Sequence, residues 1–306
     1  MTQQNAHGHD ESPRANPVSG QHIVVVRGQL KGHDATWPED LPGGREAIEG
    51  FPPFIKWLTQ LEKSLRLQSE QSHQFHDEPY KLFKIDVQSF DQFGSRLGFL
   101  KLKAEIKKEN PHDPADKNHP LPGIVFLRGP AVAMLIVLTP DDVEKGSKQE
   151  EEDRQIILTI QPRIPAGSLE FVELPAGMVD DKEFKGAVAE EIKEELGMTI
   201  KASELKELSA PAQESREGSS GEALPVAMYP SAGGCDEYIR FYTAERRLPR
   251  NEIEKYNHKL TGLRDHGEKI TLKLVKLKDL WKEGARDSKC LAALALWEGL
   301  KREGRL

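Results

Sequence analysis

Between residues 173 and 198 the chain reads Glu-Leu-Pro-Ala-Gly-Met-Val-Asp-Asp-Lys-Glu-Phe-Lys-Gly-Ala-Val-Ala-Glu-Glu-Ile-Lys-Glu-Glu-Leu-Gly-Met. This pattern predicts a strand, a glycine-containing loop and a helix over Lys182 to Leu196, with Asp180 or Asp181 as its cap and Gly197 at its end. On that helix Glu191, Glu194 and Glu195 stand at i, i+3 and i+4, so three carboxylates project toward one spot. Val188, Ile192 and Leu196 form the neighbouring apolar stripe. Glu190 adds a fourth acid, and only Lys193 lies among them, although like charges at i,i+4 cost a helix about a few tenths of a kcal/mol per pair. A hard divalent cation would neutralise such a group, because Mg²⁺ takes oxygen ligands and is typically held by one or two carboxylates plus substrate phosphates. The alternative is a solvated acidic helix face, which is the reading the charges alone favour.

The elements that must position these residues follow from pattern. His22 to Val26 reads as the first strand, after a polar segment to Gln21 that has nothing to bury and is expected to be a disordered tail. A Pro- and Gly-rich loop from Trp37 to Gly44 precedes an amphipathic helix carrying Phe54, Leu58, Leu61 and Leu65. Residues 80 to 106 alternate as a β-meander turning at Phe93-Gly94. Lys108 to Pro122 reads as a linker, and the domain boundary is expected near residue 120. Beyond it come strands at Ile124–Phe126 and Ala131–Leu138, a charged hairpin tip at Asp141–Arg154, and a returning strand at Gln155–Gln161. The Gly/Ser-rich loop Pro211–Pro225, strands at Val226–Tyr229, Tyr238–Thr243 and Ile270–Leu277, and a helix Leu291–Arg302 complete the chain. No fixed-period repeat and no βαβ rhythm is visible, which favours an α+β fold.

Composition narrows the function. The 306 residues carry 43 Lys plus Arg against 50 Asp plus Glu, a net charge of −7, which argues against a nucleic-acid binder working through bulk basicity. Two cysteines, Cys235 and Cys290, allow at most one bridge, so a reducing compartment is expected. The longest apolar stretch, Pro130 to Leu138, is about half of what spans a bilayer, and the first twenty residues lack the features of a secretory signal or transit peptide. The expectation is a cytoplasmic protein that binds no membrane, with an organelle as the alternative.

The glycine frame sharpens the acidic helix. Gly177, five residues, Glu183, then Glu190, Glu191, Ile192, Glu194, Glu195, Gly197 and Met198 resemble the signature of the Nudix hydrolases, Gly-x5-Glu-x7-Arg-Glu-U-x-Glu-Glu-x-Gly-U with U aliphatic. Two departures stand out: six residues rather than seven follow Glu183, and Glu190 occupies the position of the family's Arg. Further runs, among them Gly98–Lys103, Pro122–Phe126, Gln161-Pro-Arg163, Pro230–Glu237 and Gly262–Glu268, resemble those of plant-type ADP-sugar diphosphatases.

That resemblance implies an α+β chain in three parts. Residues 1–21 form a tail, 22–120 a small β-rich dimerisation domain, and 121–306 a Nudix α/β/α sandwich that hydrolyses the pyrophosphate of ADP-ribose or ADP-glucose to AMP and a sugar phosphate. It implies Mg²⁺, with Mn²⁺ as the substitute, bound by Glu191, Glu195 and the Ala176 carbonyl, and Glu194 on a second ion or on the attacking water. Glu268 is the expected general base or late metal ligand, with a plain turn as the alternative, and His266 could share the role. Arg163 could grip a phosphate through its planar fork or sit in an ordinary salt bridge. Gly233 and Gly234 would let backbone approach the substrate, and Glu237 beside them matches a substrate-side position, unless the segment is simply a turn. The expected partner is a nucleotide-sugar, and the expected assembly a homodimer. Two other readings stay open: a Nudix-derived module that binds an adenine nucleotide without turning it over, and hydrolysis of another nucleotide-sugar, a dinucleotide or a nucleoside triphosphate.

Overall fold

The computed structural model describes residues 24–179, 184–213, 222–262 and 269–306. Order there begins with a hairpin, β1 (Val25–Leu30) and β2 (His33–Pro38), turned by Lys31 and Gly32 at positive φ. Of the strand expected at His22–Val26, Val25 and Val26 fall in β1, which runs on to Leu30, while His22 and Ile23 lie outside the described residues; Trp37, expected in a loop, lies in β2 and is buried. Helices α1 (Gly44–Glu49) and α2 (Pro52–Leu67) follow, then the long pair β3 (Tyr80–Phe93) and β4 (Arg96–Lys108), and the short β5 (Ile124–Leu127). Phe54 and Leu58 of α2 pack on Ile85, Val87, Leu100 and Leu102 of the meander, which is what its apolar spacing dictates.

The five strands form one sheet in the order β1-β2-β3-β4-β5. Sequence grouped Ile124–Phe126 with the following unit. The structure instead pairs β5 antiparallel with β4, Leu100 opposite Leu127 and Lys103 opposite Ile124. Its Leu127 is buried in the first core, so the change of sheet falls at Arg128–Pro130.

The second sheet is built on β6 (Ala131–Pro140), buried along its whole length. Helix α3 (Lys148–Asp153), strands β7 (Gln155–Arg163), β8 (Ser168–Glu173) and β9 (Ala176–Met178), and helix α4 (Phe184–Leu196) come next. They are followed by β10 (Lys206–Glu207), α5 (Ser209–Gln213), β11 (Ile239–Leu248), α6 (Arg250–Glu254), β12 (Leu260–Thr261), β13 (Ile270–Lys276), α7 (Leu280–Glu283) and α8 (Ser288–Arg302). The order is β10-β11-β6-β7-β13-β12, with β8 added to β7 and β9 to β6. Alternate residues of β6 face opposite layers, as period two requires. Ala131, Ala133, Leu135 and Val137 meet α8, through Ala293 and Trp297, while Val132, Met134, Ile136 and Leu138 meet α4, through Val188, Ile192 and Leu196. The unit is thus an α/β/α sandwich.

Two local expectations are corrected. The charged tip after β6 contains helix α3, capped by the Ser147 hydroxyl accepting the Glu150 N–H at 3.1 Å. The predicted strand Val226–Tyr229 is reduced to a single bridge, Met228 to Ile239. Among the described residues, no helix is long and apolar enough to cross a membrane.

Candidate active site

Strands β6 and β7 pair only where Val137 faces Ile156 and Leu138 faces Gln155. Toward the other end each takes its own partner, β9 on β6 (Val132 opposite Gly177) and β8 on β7 (Thr159 opposite Glu173). The turn Leu174-Pro175 fills the fork, with the Pro175 carbonyl accepting the Met134 N–H at 2.9 Å. A sheet that opens this way presents backbone groups and side chains into one crevice, the usual place for a ligand.

Helix α4 crosses the fork on one face. Its apolar stripe is buried, and Gly197 ends it at φ 61°, a conformation that suits glycine. The Thr261 hydroxyl donates to the Glu195 carbonyl, fixing the last turn. Glu195 itself is 3% exposed, and its carboxylate accepts the Ala176 N–H at 3.1 Å. Glu191, one turn earlier, lies directly against Gly177: a Cβ built on that glycine would stand 1.9 Å from the Glu191 carboxyl carbon. Glycine is required here by close approach, and it forms the cradle in which the carboxylate rests. Glu194 is exposed. The expected meeting of three carboxylates is therefore a pair, Glu191 and Glu195 at the β9 backbone, with Glu194 at the helix surface, because the helix turns its i and i+4 positions to the strand.

The donor chemistry suits a hard cation. Among the described residues, no group of three or more His, Cys, Asp or Glu side chains gathers at ligating range. Two carboxylates beside a strand backbone are nevertheless the sparse oxygen set that Mg²⁺ accepts while keeping waters or phosphate oxygens for the rest. Asp180, Asp181, Glu183, His266 and Glu268 lie outside the described residues.

A second cluster borders the fork. Glu173, 2% exposed, accepts Arg163 Nε at 2.7 Å on one oxygen and Lys289 Nζ at 2.9 Å on the other. Lys289 also reaches Asp287 at 2.9 Å, and Asp287 caps α8 by accepting the Lys289 N–H at 3.1 Å while taking the Leu174 N–H at 2.8 Å. Burial alone would pull Lys289 down, but the Glu173 and Asp287 carboxylates outweigh it and hold the ammonium above its usual range. Arg163 is thus in a salt bridge, yet it spends only Nε there, and its terminal nitrogens bond no described residue.

The segment holding Gly233, Gly234 and Glu237 is tied to the first sheet. The Phe126 N–H donates to the Gly234 carbonyl at 2.8 Å, and the Asp236 N–H to the Phe126 carbonyl at 3.2 Å. The Asp236 carboxylate accepts the Arg128 N–H at 2.8 Å and the Gly129 N–H at 3.1 Å. Above Gly233 and Gly234 the space is open. Glu237 sits 3.4 Å from the Arg128 guanidinium, and burial pushes both Glu237 and Asp236 above the ordinary carboxylate range despite the cations nearby. Burial also raises the Cys235 thiol, which makes it a poor nucleophile. A cleft of about 440 Å³ opens beside Arg128, lined by Lys56 and Phe51 of the first unit, Phe93 and Arg96 at the β3–β4 turn, and Met178 just past the glycine cradle.

Sequence reasoning missed Arg128, Glu173, Asp287 and Lys289. Only Asp287, an Asp standing before an apolar helical run, carried a local signal, that of an N-cap.

No known family profile matches the chain. The chain is 35% identical over 262 residues to Nudix hydrolase 14, chloroplastic, of Arabidopsis thaliana, an alignment covering 85% of this chain and 74% of that protein. Identity of that extent places the chain in the Nudix hydrolase family, and the acidic helix with its glycine cradle is that family's signature element. A solved structure described as an ADP compounds hydrolase is similar at 15% identity, covering 74% of this chain and 97% of that one with a TM-score of 0.45.

Proposed function

We propose that this Nudix hydrolase cleaves the pyrophosphate of ADP-sugars, ADP-ribose and ADP-glucose foremost, to AMP and a sugar phosphate. The observation that carries the reading is the pairing of Glu191 with Gly177 and of Glu195 with the Ala176 N–H, which sets two carboxylates on the β9 backbone. Glu191, Glu195 and the Ala176 carbonyl would hold Mg²⁺, or Mn²⁺ in its place. The cation would neutralise phosphate charge and acidify the attacking water.

The chain's own residues do the rest. Arg163 would receive one phosphate on its outward nitrogens, since Nε is already held by Glu173. The open backbone at Gly233 and Gly234 admits the substrate, and Glu237 accepts hydroxyl donors from the sugar half. Glu194, exposed at the helix surface, would orient the water, and Glu268 would take its proton. In-line transfer of this kind needs placement and charge cancellation more than covalent help.

In this reading the chain divides into a tail over 1–21, an N-terminal β unit from residue 22 through β5 that joins two copies into a homodimer, and the hydrolase unit beyond it. Its partner is a nucleotide-sugar rather than nucleic acid or membrane. The compartment is the cytoplasm, with an organelle as the alternative that a chloroplastic relative supports.

The test is Mg²⁺-dependent AMP release from ADP-glucose and ADP-ribose in parallel, with UDP-glucose and ATP as controls. Product from the ADP-sugars alone is the expected result. Product from the controls instead would shift the substrate class. Binding of ADP-ribose without product from any substrate would make the site a sensor, the reading that Glu190 at the family's Arg position favours.

A further inference from the structure

We propose that Lys289 is a positioning residue for the reaction, holding Glu173 so that Glu173 in turn aims the Arg163 guanidinium at the substrate phosphate. The inference rests on the phosphate-binding role of Arg163 given above.

Lys289 comes from the first turn of α8, 116 residues from Glu173, and its side chain is only 15% exposed. A buried ammonium is retained where it is paired on all sides, and here its partners are two carboxylates buried almost completely. Each has both oxygens engaged. Glu173 takes Arg163 on Oε1 and Lys289 on Oε2, while Asp287 takes Lys289 on Oδ1 and the Leu174 N–H on Oδ2. Since Leu174 follows Glu173 in the chain, the bonds close a ring that locks α8, the fork turn and Arg163 together.

The ring gives Arg163 its orientation. A carboxylate with a free buried oxygen would draw a second guanidinium nitrogen to itself, because the bidentate pair is the stronger one. Lys289 occupies that oxygen, Glu173 takes Arg163 through Nε, and the two terminal nitrogens bond no described residue. Lys289 also attracts the Glu237 carboxylate across the crevice, so one cation serves both banks of the site.

The experiment is steady-state kinetics on the full chain, with whichever nucleotide of the panel it hydrolyses, for Lys289→Met, Lys289→Arg, Arg163→Ala and the double variant. Lys289→Met is expected to lower kcat/KM by about 10- to 100-fold, carried mainly by KM. Lys289→Arg should restore most of that loss. In the Arg163→Ala background, Lys289→Met should add nothing, because its effect passes through Arg163. Should Lys289→Met not fold, Lys289→Gln, which keeps a neutral donor for Glu173, carries the same expectation at smaller size. Losses that multiply in the double variant, or a Lys289 variant that melts lower but keeps its KM, would overturn the inference and leave the phosphate reading intact. An Arg163→Ala variant with unchanged KM would sink both.

Discussion

At the Pro140–Gln155 end of the second sheet, Asp153 receives Arg250 at 2.7 Å and Lys276 at 3.2 Å, Glu150 receives Arg247 and Arg154, and Lys278 meets Glu152. At the Ala131–Arg163 end stand Arg128, Arg163 and Lys289 with Glu173, Asp236, Glu237, Asp287, Glu191 and Glu195. The first cluster sets five cations against four acids once Asp142 is counted with Arg250, and its Asp153, Glu150 and Glu152 carboxyls lie below their ordinary range. Arg250 is the main cause at Asp153, and the Gly146 N–H at Glu150. The second has three cations for six acids, and burial raises Asp236 and Glu237. One end is a finished set of pairs that ties loops together. The other gathers more acids than cations among the described residues around an open crevice, which is where an added cation gains most.

The sharpest way to break that contrast is to remove charge at the fork. Glu195→Gln keeps an acceptor for the Ala176 N–H but loses the formal charge, so turnover should fall by roughly 10²- to 10³-fold, as for loss of one preorganised electrostatic group. The melting temperature should hold, since the hydrogen bond can survive. Full activity in this variant would end the assignment of Glu195 to the cation.

Gly177→Ala attacks the same pair through geometry. The added methyl would occupy the place of the Glu191 carboxyl carbon, so Glu191 must swing away. Activity should drop by about 10- to 100-fold, the usual cost of disturbing how a ligand is held, with a raised Mg²⁺ requirement. A titration of rate against Mg²⁺ checks it, and an unchanged half-saturation concentration would mean that Glu191 does not touch the ion.

The opposite end supplies the matching control. Asp153→Asn should leave kcat/KM alone and cost about 0.5–1 kcal/mol at neutral pH, given that Arg250 is half exposed. Because the Asp153 carboxyl is depressed in the folded state, its contribution is present above the unfolded value near about 4 and is lost as pH falls through the folded one. Denaturant midpoints of variant and parent should therefore converge on acidification. A change in KM would show that the two ends are not independent.

How far this contrast can be read from sequence depends on how local its causes are. The fork helix is legible because Val188, Ile192 and Leu196 repeat at helical spacing and Gly197 stops them, whereas the close approach of Glu191 to Gly177 was not foreseen. Lys289 is illegible, since nothing near it indicates that Glu173, 116 residues away, will need a second donor. Strand β5 was assigned to the wrong sheet for the same reason: its four residues fit either unit, and only pairing with β4 decides. Helix α3 was hidden by a run of charge, although Ser147 and Glu150 stand at capping-box spacing.

The finest test uses the sign of a single carboxyl at the fork. Burial raises Glu237, so its charged form costs the folded protein stability at neutral pH despite Arg128. That cost is present above the folded value and is relieved as pH falls toward the unfolded value near about 4.3. Glu237→Gln should therefore raise stability at pH 7 by about 0.5 kcal/mol, a gain that shrinks on acidification while catalysis suffers. The parent and variant curves run opposite to those of Asp153→Asn, so one pair of pH titrations distinguishes a poised carboxylate from a settled one. A Glu237→Gln variant that is less stable at neutral pH, and increasingly so as pH rises, would place Glu237 among the settled pairs and remove the asymmetry between the two ends.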